Sequence, residues 1–197
     1  GLVFQNPDHQ FFCESVEDEI RFALENFGFE RRAIEERTRW ALEFFGLAAY
    51  RRRSPFLLSG GEKKRLAMAS ILVWGPKYVV LDEPTIGQDY DQKQRLIRLL
   101  RRLREEGKTI VLTTHDVEFA ADCGQRVVLM KGGRILADGD VGSVLTDPAL
   151  LKEASILPPQ VTQISLALSD VGFPKVYDVS EARRAIITYV REGHWPS

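Results

Sequence analysis

Two adjacent carboxylates follow an apolar segment near the middle of this chain. Asp82 and Glu83 come directly after residues 78–81, a continuous run rich in β-branched side chains that predicts a strand buried on both faces of a parallel sheet. Neighbouring acids at the carboxyl end of such a strand are costly unless a cation or a reaction requires them. In phosphoryl transfer, one carboxylate holds Mg²⁺ and another polarises the attacking water. The pair is therefore a candidate for that chemistry, and a strand end that forms salt bridges is the alternative.

A second candidate site is a glycine-rich turn. Ser59, Gly60 and Gly61 open a predicted helix that continues to Trp74. The two glycines allow close approach of the backbone, and the free N–H groups and dipole of a helix N-terminus favour an anion. The serine hydroxyl adds a donor. This turn suits a phosphate group, although the tripeptide alone is common in ordinary turns.

The elements that must position these residues alternate between strands and helices after Lys77, which indicates an α/β layer fold. The pattern predicts a helix over residues 91–106, a buried strand over 109–114, a helix over 116–122, and a hairpin whose strands, 127–130 and 134–137, flank a turn at 131–133.

The chain divides by composition into four expected parts. They are residues 1–5, the end of a core strand; 6–75, a helical subdomain; 76–150, an α/β core; and 151–197, a small helical extension. Within the extension, a first helix is predicted from about residue 157 onward and carries Val161, Ile164 and Leu168. A second helix is predicted over residues 181–191.

Composition excludes several classes of protein. The 27 basic and 28 acidic residues nearly cancel, which argues against a general nucleic-acid binder. No apolar run approaches the ~18 residues of a membrane span. Cys13 and Cys123 form neither a disulfide framework nor a metal-binding pattern.

Together, these motifs resemble the ATPase subunits of ABC transporters. Residues 58–65 are similar to the signature motif of that family, and residues 78–84 resemble its Walker B motif followed by the catalytic glutamate. Gln5 resembles the Q-loop glutamine, residues 87–89 the D-loop, and His115 the switch histidine. The resemblance covers about residues 1–145 and implies part of a P-loop NTPase domain with a RecA-like core, in which two subunits clamp two ATP molecules.

The resemblance also implies a role for each candidate residue. The nucleotide-binding set, which contacts the ATP of the partner subunit, is Ser59, Gly60, Gly61 and Glu62. The catalytic set is Glu83 as general base, His115 on the γ-phosphate and Gln5 on Mg²⁺ and water. Asp82 is the other expected Mg²⁺ ligand, and Asp89 is expected to communicate across the dimer. Leucine is more common in the family than Gln88 at the middle position of the D-loop.

One motif of the family is not found in these residues. No Gly-x-x-x-x-Gly-Lys-Ser/Thr loop occurs in the printed sequence, and the family places that loop before Gln5. Such a loop supplies donors that neutralise the phosphates, and losing one such donor costs about 3–4 kcal/mol of transition-state stabilisation. We therefore expect that residues 1–197 are part of a nucleotide-binding domain and do not hydrolyse ATP by themselves.

Two segments are more specific than the general family. Residues 3–10 and 56–65 closely resemble the ATPase subunits of energy-coupling-factor importers, including the cobalt and nickel type, and residues 157–173 resemble their C-terminal extension. This implies uptake of a vitamin or a transition-metal ion, at the cytoplasmic face of the membrane. The implied partners are a second, identical or paralogous ATPase subunit, an integral membrane coupling subunit and a membrane subunit that captures the substrate. Phe11, Phe12 or Glu14 is expected to line the groove for the coupling subunit.

Three alternatives to this hypothesis agree less well with the sequence. ABC ATPases of chromosome maintenance and DNA repair insert a long coiled coil between Q-loop and signature, whereas Gln5 and Ser59 are only 54 positions apart. Translation-factor ABC proteins carry two cassettes, and this chain has one signature. A non-catalytic partner that completes another subunit's ATP site is the third alternative, and the presence of Glu83 and His115 speaks against it.

Overall fold

The computed structural model describes residues 1–195, which form two compact units. The first unit is Gly1–His115, and the second begins at Asp116. Pro196 and Ser197, the end of the expected 151–197 extension, lie outside the described residues. Across residues 1–195, every helix is too short or too polar to cross a membrane.

A parallel sheet forms the centre of the first unit. Its strands, in spatial order, are β1 (Leu2–Val3), β2 (Tyr78–Asp82) and β3 (Thr109–Thr113). In the register of the sheet, Val3 lies opposite Leu81 and Asp82 lies opposite Thr113. Because parallel strands end at the same edge of a sheet, the residues that follow all three strands are brought together there. The α/β class expected from the sequence is confirmed.

The burial of β2 differs from the expectation of a strand covered on both faces. Val79 and Leu81 are 1% and 0% exposed, but Tyr78 and Val80 are 60% and 36% exposed. Side chains alternate between the two faces of a strand, so one face of β2 packs into the core and the other is uncovered by the described residues. An apolar run shows that both faces tolerate apolar contact, but it does not show which face is packed.

The first unit also contains four α-helices. They are α1 (Val16–Asn26), α2 (Arg31–Phe44), α3 (Gly60–Leu72) and α4 (Tyr90–Glu105). Of these, α3 packs against β1 and α4 against β3. Their starts are set by local chemistry: Ser15 accepts a hydrogen bond from the Asp18 N–H at the N-cap of α1, and acidic residues fill the first turn. Fully buried residues of α1, Ile20 and Leu24, show that its apolar stripe forms part of the core.

The second unit begins with α5 (Val117–Cys123) and an antiparallel hairpin. The hairpin pairs β4 (Arg126–Lys131) with β5 (Arg134–Asp140), which confirms the turn predicted at residues 131–133. Helices α6 (Val141–Leu145) and α7 (Pro148–Ala154) follow. The core of this part contains Leu129, Val141, Val144, Leu145 and Leu151.

Helices α8 (Gln160–Ala167) and α9 (Val179–Glu192) complete the second unit. The apolar residue Ile164 of α8 is 57% exposed, whereas Thr162 and Ser165 are buried. Their hydroxyls donate to the carbonyls of Val176 and Pro174, at 2.9 and 3.0 Å. Because these hydrogen bonds satisfy the buried hydroxyls, the polar side of α8 can face inward.

Candidate active site at the carboxyl edge of the parallel sheet

Four of the predicted residues lie at one edge of the first unit's sheet. Gln5 follows β1, Asp82 and Glu83 lie at the end of β2, and His115 follows β3. The pairing of Val3 with Leu81 and of Asp82 with Thr113 fixes their relative positions. The topology therefore assembles residues that are far apart in the sequence into one candidate site.

Glu83 is held by two side chains from the segment that follows β3. Its Oε1 lies 2.8 Å from Nδ1 of His115, and its Oε2 accepts a hydrogen bond of 3.3 Å from the Thr114 hydroxyl. The Glu83 side chain is 15% exposed, whereas the His115 side chain is 77% exposed. The carboxylate is thus held in place by two partners, while the imidazole that contacts it is largely exposed.

Asp82 is oriented by the neighbouring strand. The hydroxyl of Thr113 donates to Oδ1 of Asp82, and the carbonyl of the same Thr113 accepts the Glu83 N–H at 3.0 Å. Mg²⁺ is held in proteins by one or two carboxylates together with water and phosphate oxygens. The Asp82 carboxylate, half-buried and at a strand end, fits that requirement.

The backbone of Glu83 has an unusual conformation. Its φ of +46° lies in the left-handed region, which non-glycine residues rarely adopt. Such a residue costs about 1–3 kcal/mol, and it persists only where its surroundings hold it. Strain of this kind concentrates at functional sites, and no feature of the sequence indicates it.

The signature turn opens α3 as predicted. Ser59 is the N-cap of this helix: its hydroxyl accepts the Glu62 N–H at 3.4 Å, and Oε2 of Glu62 accepts the Ser59 N–H at 2.8 Å. This reciprocal capping box satisfies two donors of the first turn. A hydrogen bond from Tyr50, followed by that from the Ser59 backbone, holds the pKa of Glu62 below its ordinary value. The Glu62 carboxylate is therefore bonded within its own chain, and its contact with nucleotide stays a prediction.

Two glycines show where the signature turn and the D-loop meet. A Cβ added to Gly61 would lie 2.5 Å from the carbonyl oxygen of Gly87, while one added to Gly60 would meet no atom within 4 Å. Nε2 of Gln88 also donates to the Gly61 carbonyl at 3.2 Å. The D-loop glutamine, unusual for the family, thus ties the D-loop to the signature turn of its own chain.

Asp89 caps the helix that follows the D-loop. Its carboxylate accepts the Gln92 N–H at 2.8 Å, at the N-terminus of α4. This bond explains the exposed position of an acid at the start of a helix. A contact across a dimer stays a prediction for Asp89.

One residue of the site was missed by sequence reasoning. Lys64 is 2% exposed, and its ammonium donates to three backbone carbonyls, those of Phe4 (2.9 Å), Gln5 (3.2 Å) and Asp82 (2.7 Å). Burial lowers its pKa, and the charges of Asp82 and Glu83 act in the opposite direction. Helical spacing gave no signal for this burial, because Lys64 lies on the side of α3 opposite Leu66 and Val73, and the helix is buried on nearly every side.

One residue of the expected groove is buried. Phe11 is only 7% exposed and belongs to the core, so the expectation that it lines a surface groove is wrong for this side chain. Phe12 is 61% exposed and packs edge-on against Phe22, with ring centroids 4.5 Å apart. The backbone N–H groups of Phe12 and Cys13 donate to the buried carboxylate of Glu19, at 3.1 and 2.9 Å, which fixes this loop.

Comparison with known proteins agrees with these motifs. The family model described as ABC transporter matches residues 1–86. An ABC transporter ATP-binding protein of Methanosarcina acetivorans is 43% identical over 185 residues, which are 93% of this chain but only 30% of that protein. The chain therefore spans less than a third of that relative's length.

Two further similarities cover larger shares of the known protein. The energy-coupling factor transporter ATP-binding protein of Clostridium perfringens is 34% identical over 200 residues, covering 98% of this chain and 70% of that protein. The solved structure of cbiO1 from Clostridium perfringens, part of the ABC transporter complex cbiONQ, matches with a TM-score of 0.63 and 32% identity, covering 87% of this chain and 65% of that one. The chain therefore belongs to the ABC transporter ATP-binding family, and its similarity extends to the energy-coupling factor members.

Proposed function

We propose that this chain is the ATP-binding and ATP-hydrolysing part of an ABC importer that powers uptake of a vitamin or a transition-metal ion. The observation that carries the proposal is the contact of 2.8 Å between Glu83 and His115, beside Asp82 at the edge of the sheet. In phosphoryl transfer to water, acids at that edge can hold Mg²⁺ and position the attacking water, and an imidazole can donate to the phosphate.

In this proposal each residue has a defined task. Asp82 and Gln5 hold Mg²⁺, which supplies charge neutralisation on the phosphate oxygens. Glu83 accepts the proton of the attacking water, since its carboxylate is held in place by Thr114 and His115. His115 donates to the γ-phosphate, and Ser59, Gly60 and Gly61 contact the nucleotide of a second ATPase subunit, identical or paralogous.

We place the contact with the membrane partner in a groove beside the loop after Gln5. We assign Phe12 and Phe22 to this groove because both rings are exposed, at 61% and 45%, on a loop and helix that Glu19 links. An apolar segment of an integral membrane coupling subunit suits these two rings. The protein then lies peripherally at the cytoplasmic face of the membrane, and a separate membrane subunit captures the substrate.

The test uses the longest natural protein that contains these residues, purified with its endogenous partners. The co-purifying subunits are identified by mass spectrometry, and Mg²⁺-dependent ATP hydrolysis is measured for the wild type and for Glu83→Gln. The proposal expects membrane subunits in the complex and turnover that Glu83→Gln abolishes. Turnover that survives Glu83→Gln would favour the alternative of a non-catalytic partner that completes another subunit's site.

A separate part of the proposal concerns the 197 residues alone. Because they contain no phosphate-binding loop motif, we expect no ATP turnover from residues 1–197 expressed by themselves. Glu83-dependent ATP turnover by residues 1–197 alone would contradict this expectation, but it would not contradict the proposed function of the complex.

A further inference from the structure

Lys64 occupies a position that the proposed mechanism does not use. It lies on α3, five residues after Ser59, and it is one of the largest fully buried side chains of residues 1–195. An ammonium has three donors and no acceptor, and here it meets three backbone carbonyls at 2.7–3.2 Å. Every donor of this buried charge is therefore satisfied, which offsets the cost of taking the charge out of water.

The three carbonyls lie where the sheet ends. The ladder between β1 and β2 stops at the pairing of Val3 with Leu81. Beyond that pair, Lys64 contacts Phe4 and Gln5 on one side and Asp82 on the other. The side chain thus joins the two strand ends at the point where backbone pairing no longer does so.

The bond to Asp82 also bears on the strained conformation of Glu83. The peptide group between Asp82 and Glu83 is held at both of its polar atoms: the Asp82 carbonyl by Lys64 at 2.7 Å, and the Glu83 N–H by the Thr113 carbonyl at 3.0 Å. The φ angle of Glu83 is the rotation that follows this peptide, and it is held at +46°. Fixing the peptide plane therefore helps to fix the direction of the Glu83 carboxylate.

We propose that Lys64 is a positioning residue that fixes the Asp82–Glu83 peptide and the backbone of Gln5 relative to the signature helix. This inference rests on the proposed function. Through Lys64, a displacement of α3 caused by nucleotide at Ser59, Gly60 and Gly61 reaches the residues that serve this chain's own nucleotide. Lys64 itself touches neither substrate nor metal ion.

The experiment compares Lys64→Met, Lys64→Gln and Lys64→Arg in the complete subunit with its partners. Lys64→Met removes all three hydrogen bonds, Lys64→Gln keeps an uncharged donor on a shorter side chain, and Lys64→Arg keeps charge and several donors. Lys108→Met is the matched control, since Lys108 also donates to a backbone carbonyl, that of Gly75 at 2.9 Å, in the same unit.

The measurements are kcat, the half-saturating ATP concentration, the Hill coefficient for ATP and the thermal unfolding temperature. We expect Lys64→Met to lower kcat by about 10- to 100-fold, because misplacement of a catalytic group by about an ångström has an effect of that size. We expect the half-saturating ATP concentration to change little, a Hill coefficient nearer to one than in the wild type, and partial recovery of kcat in Lys64→Arg. Lys108→Met should keep the wild-type kcat.

Three results would overturn the proposal. One is a wild-type kcat in folded Lys64→Met or Lys64→Gln. Another is a fall in kcat that only matches the loss of folded protein. A third is an equal fall in Lys108→Met. If Lys64→Met does not fold, the comparison of Lys64→Gln with Lys64→Arg decides by the same criteria. Failure of the proposed function is recognised separately, since the wild-type complex would then show no Glu83-dependent turnover.

Discussion

His115 Nδ1 lies 2.8 Å from Glu83 Oε1, although the two residues belong to different strand ends and are separated by 32 positions. The contact uses the carboxylate that is proposed to activate water. The imidazole is 77% exposed and the carboxylate only 15%, so His115 is the member of the pair that a bound phosphate could reach from solvent. On the proposed function, the imidazole would exchange this contact with Glu83 for one with the nucleotide.

The first prediction tests this pair as a unit. Glu83→Gln should lower the kcat for ATP hydrolysis by about 10²- to 10⁴-fold, since it removes a general base. His115→Ala should lower kcat by about 10²-fold, since it removes one donor from the phosphate. Residues that act together are non-additive, so the double variant should have a kcat close to that of Glu83→Gln. Steady-state kinetics of the complete complex measure all three variants. A loss of kcat in the double variant that equals the product of the two single losses would contradict a shared role.

The second prediction concerns the contact between Gly61 and Gly87. Gly61→Ala places a methyl group 2.5 Å from the Gly87 carbonyl oxygen and must displace the D-loop. We expect a loss of about 1–3 kcal/mol in the free energy of unfolding, typical of overpacking. Gly60→Ala is the control for stability, because its methyl group would meet no atom within 4 Å. Denaturant unfolding measures the free energy of unfolding of both variants. Equal values for Gly61→Ala and Gly60→Ala would show that the D-loop can move away from the added methyl group without loss of stability.

The third prediction concerns transport. Phe12→Ala should lower substrate uptake while ATP hydrolysis by the subunit continues, because the side chain lies on the proposed groove and not at the sheet edge. Phe27→Ala is the matched control, since Phe27 is also 61% exposed and packs against Trp74 with ring centroids 4.8 Å apart. Uptake of labelled substrate into vesicles, with ATPase activity measured in parallel, distinguishes them. Undiminished uptake in Phe12→Ala would remove this residue from the coupling surface.

The fourth prediction is a pH dependence of stability. Arg51 donates two hydrogen bonds to the Glu17 carboxylate at the start of α1 and holds the pKa of Glu17 below its ordinary value of 4.5. Since the folded-state pKa is the lower one, this pair stabilises the protein above that ordinary value, and its contribution is lost as the pH falls through the folded-state pKa. We expect about 0.5–1 kcal/mol at pH 7, a modest value because Arg51 is largely exposed.

The measurement for this prediction is the free energy of unfolding of Glu17→Gln and of the wild type from pH 7 down to acid. The difference between them should shrink as Glu17 becomes protonated in the folded state. Glu35→Gln is the control, because its partner Arg31 is 91% exposed and that pair should show a smaller difference at pH 7. A difference between Glu17→Gln and the wild type that persists at the acid end would mean that the effect is not ionic.

Much of the fold could be predicted from periodicity and turn chemistry. The apolar run at 78–81 predicts a strand, observed as Tyr78–Asp82, and the helical spacing after Gly61 predicts a helix, observed as Gly60–Leu72. These signals depend only on residues that are close together in the sequence, so they can be recognised without knowledge of the tertiary structure. The register of β1 with β2 comes from packing of distant segments and has no counterpart in the local pattern.

The sequence does not indicate which way individual side chains point or which residues have an unusual backbone conformation. The apolar residues of β2 do not indicate that Tyr78 points to an uncovered face, since hydrophobicity carries no information about which neighbour is present. Glu83 has a left-handed backbone because surrounding hydrogen bonds impose it, and a glutamate gives no sign of this. Lys64 lies between two other basic residues, Lys63 and Arg65, and its spacing from the apolar residues of α3 does not distinguish it from a surface side chain.

The contacts of Thr113 matter for any design that introduces this acidic pair into another protein. One residue of β3 orients both acids, through its hydroxyl on Asp82 and its carbonyl on Glu83. Grafting the Asp-Glu dipeptide onto the sheet of another protein would therefore reproduce the composition without the geometry. A portable module would need the acidic strand, the adjoining strand that ends in Thr113 and, on the proposal above, Lys64 of α3.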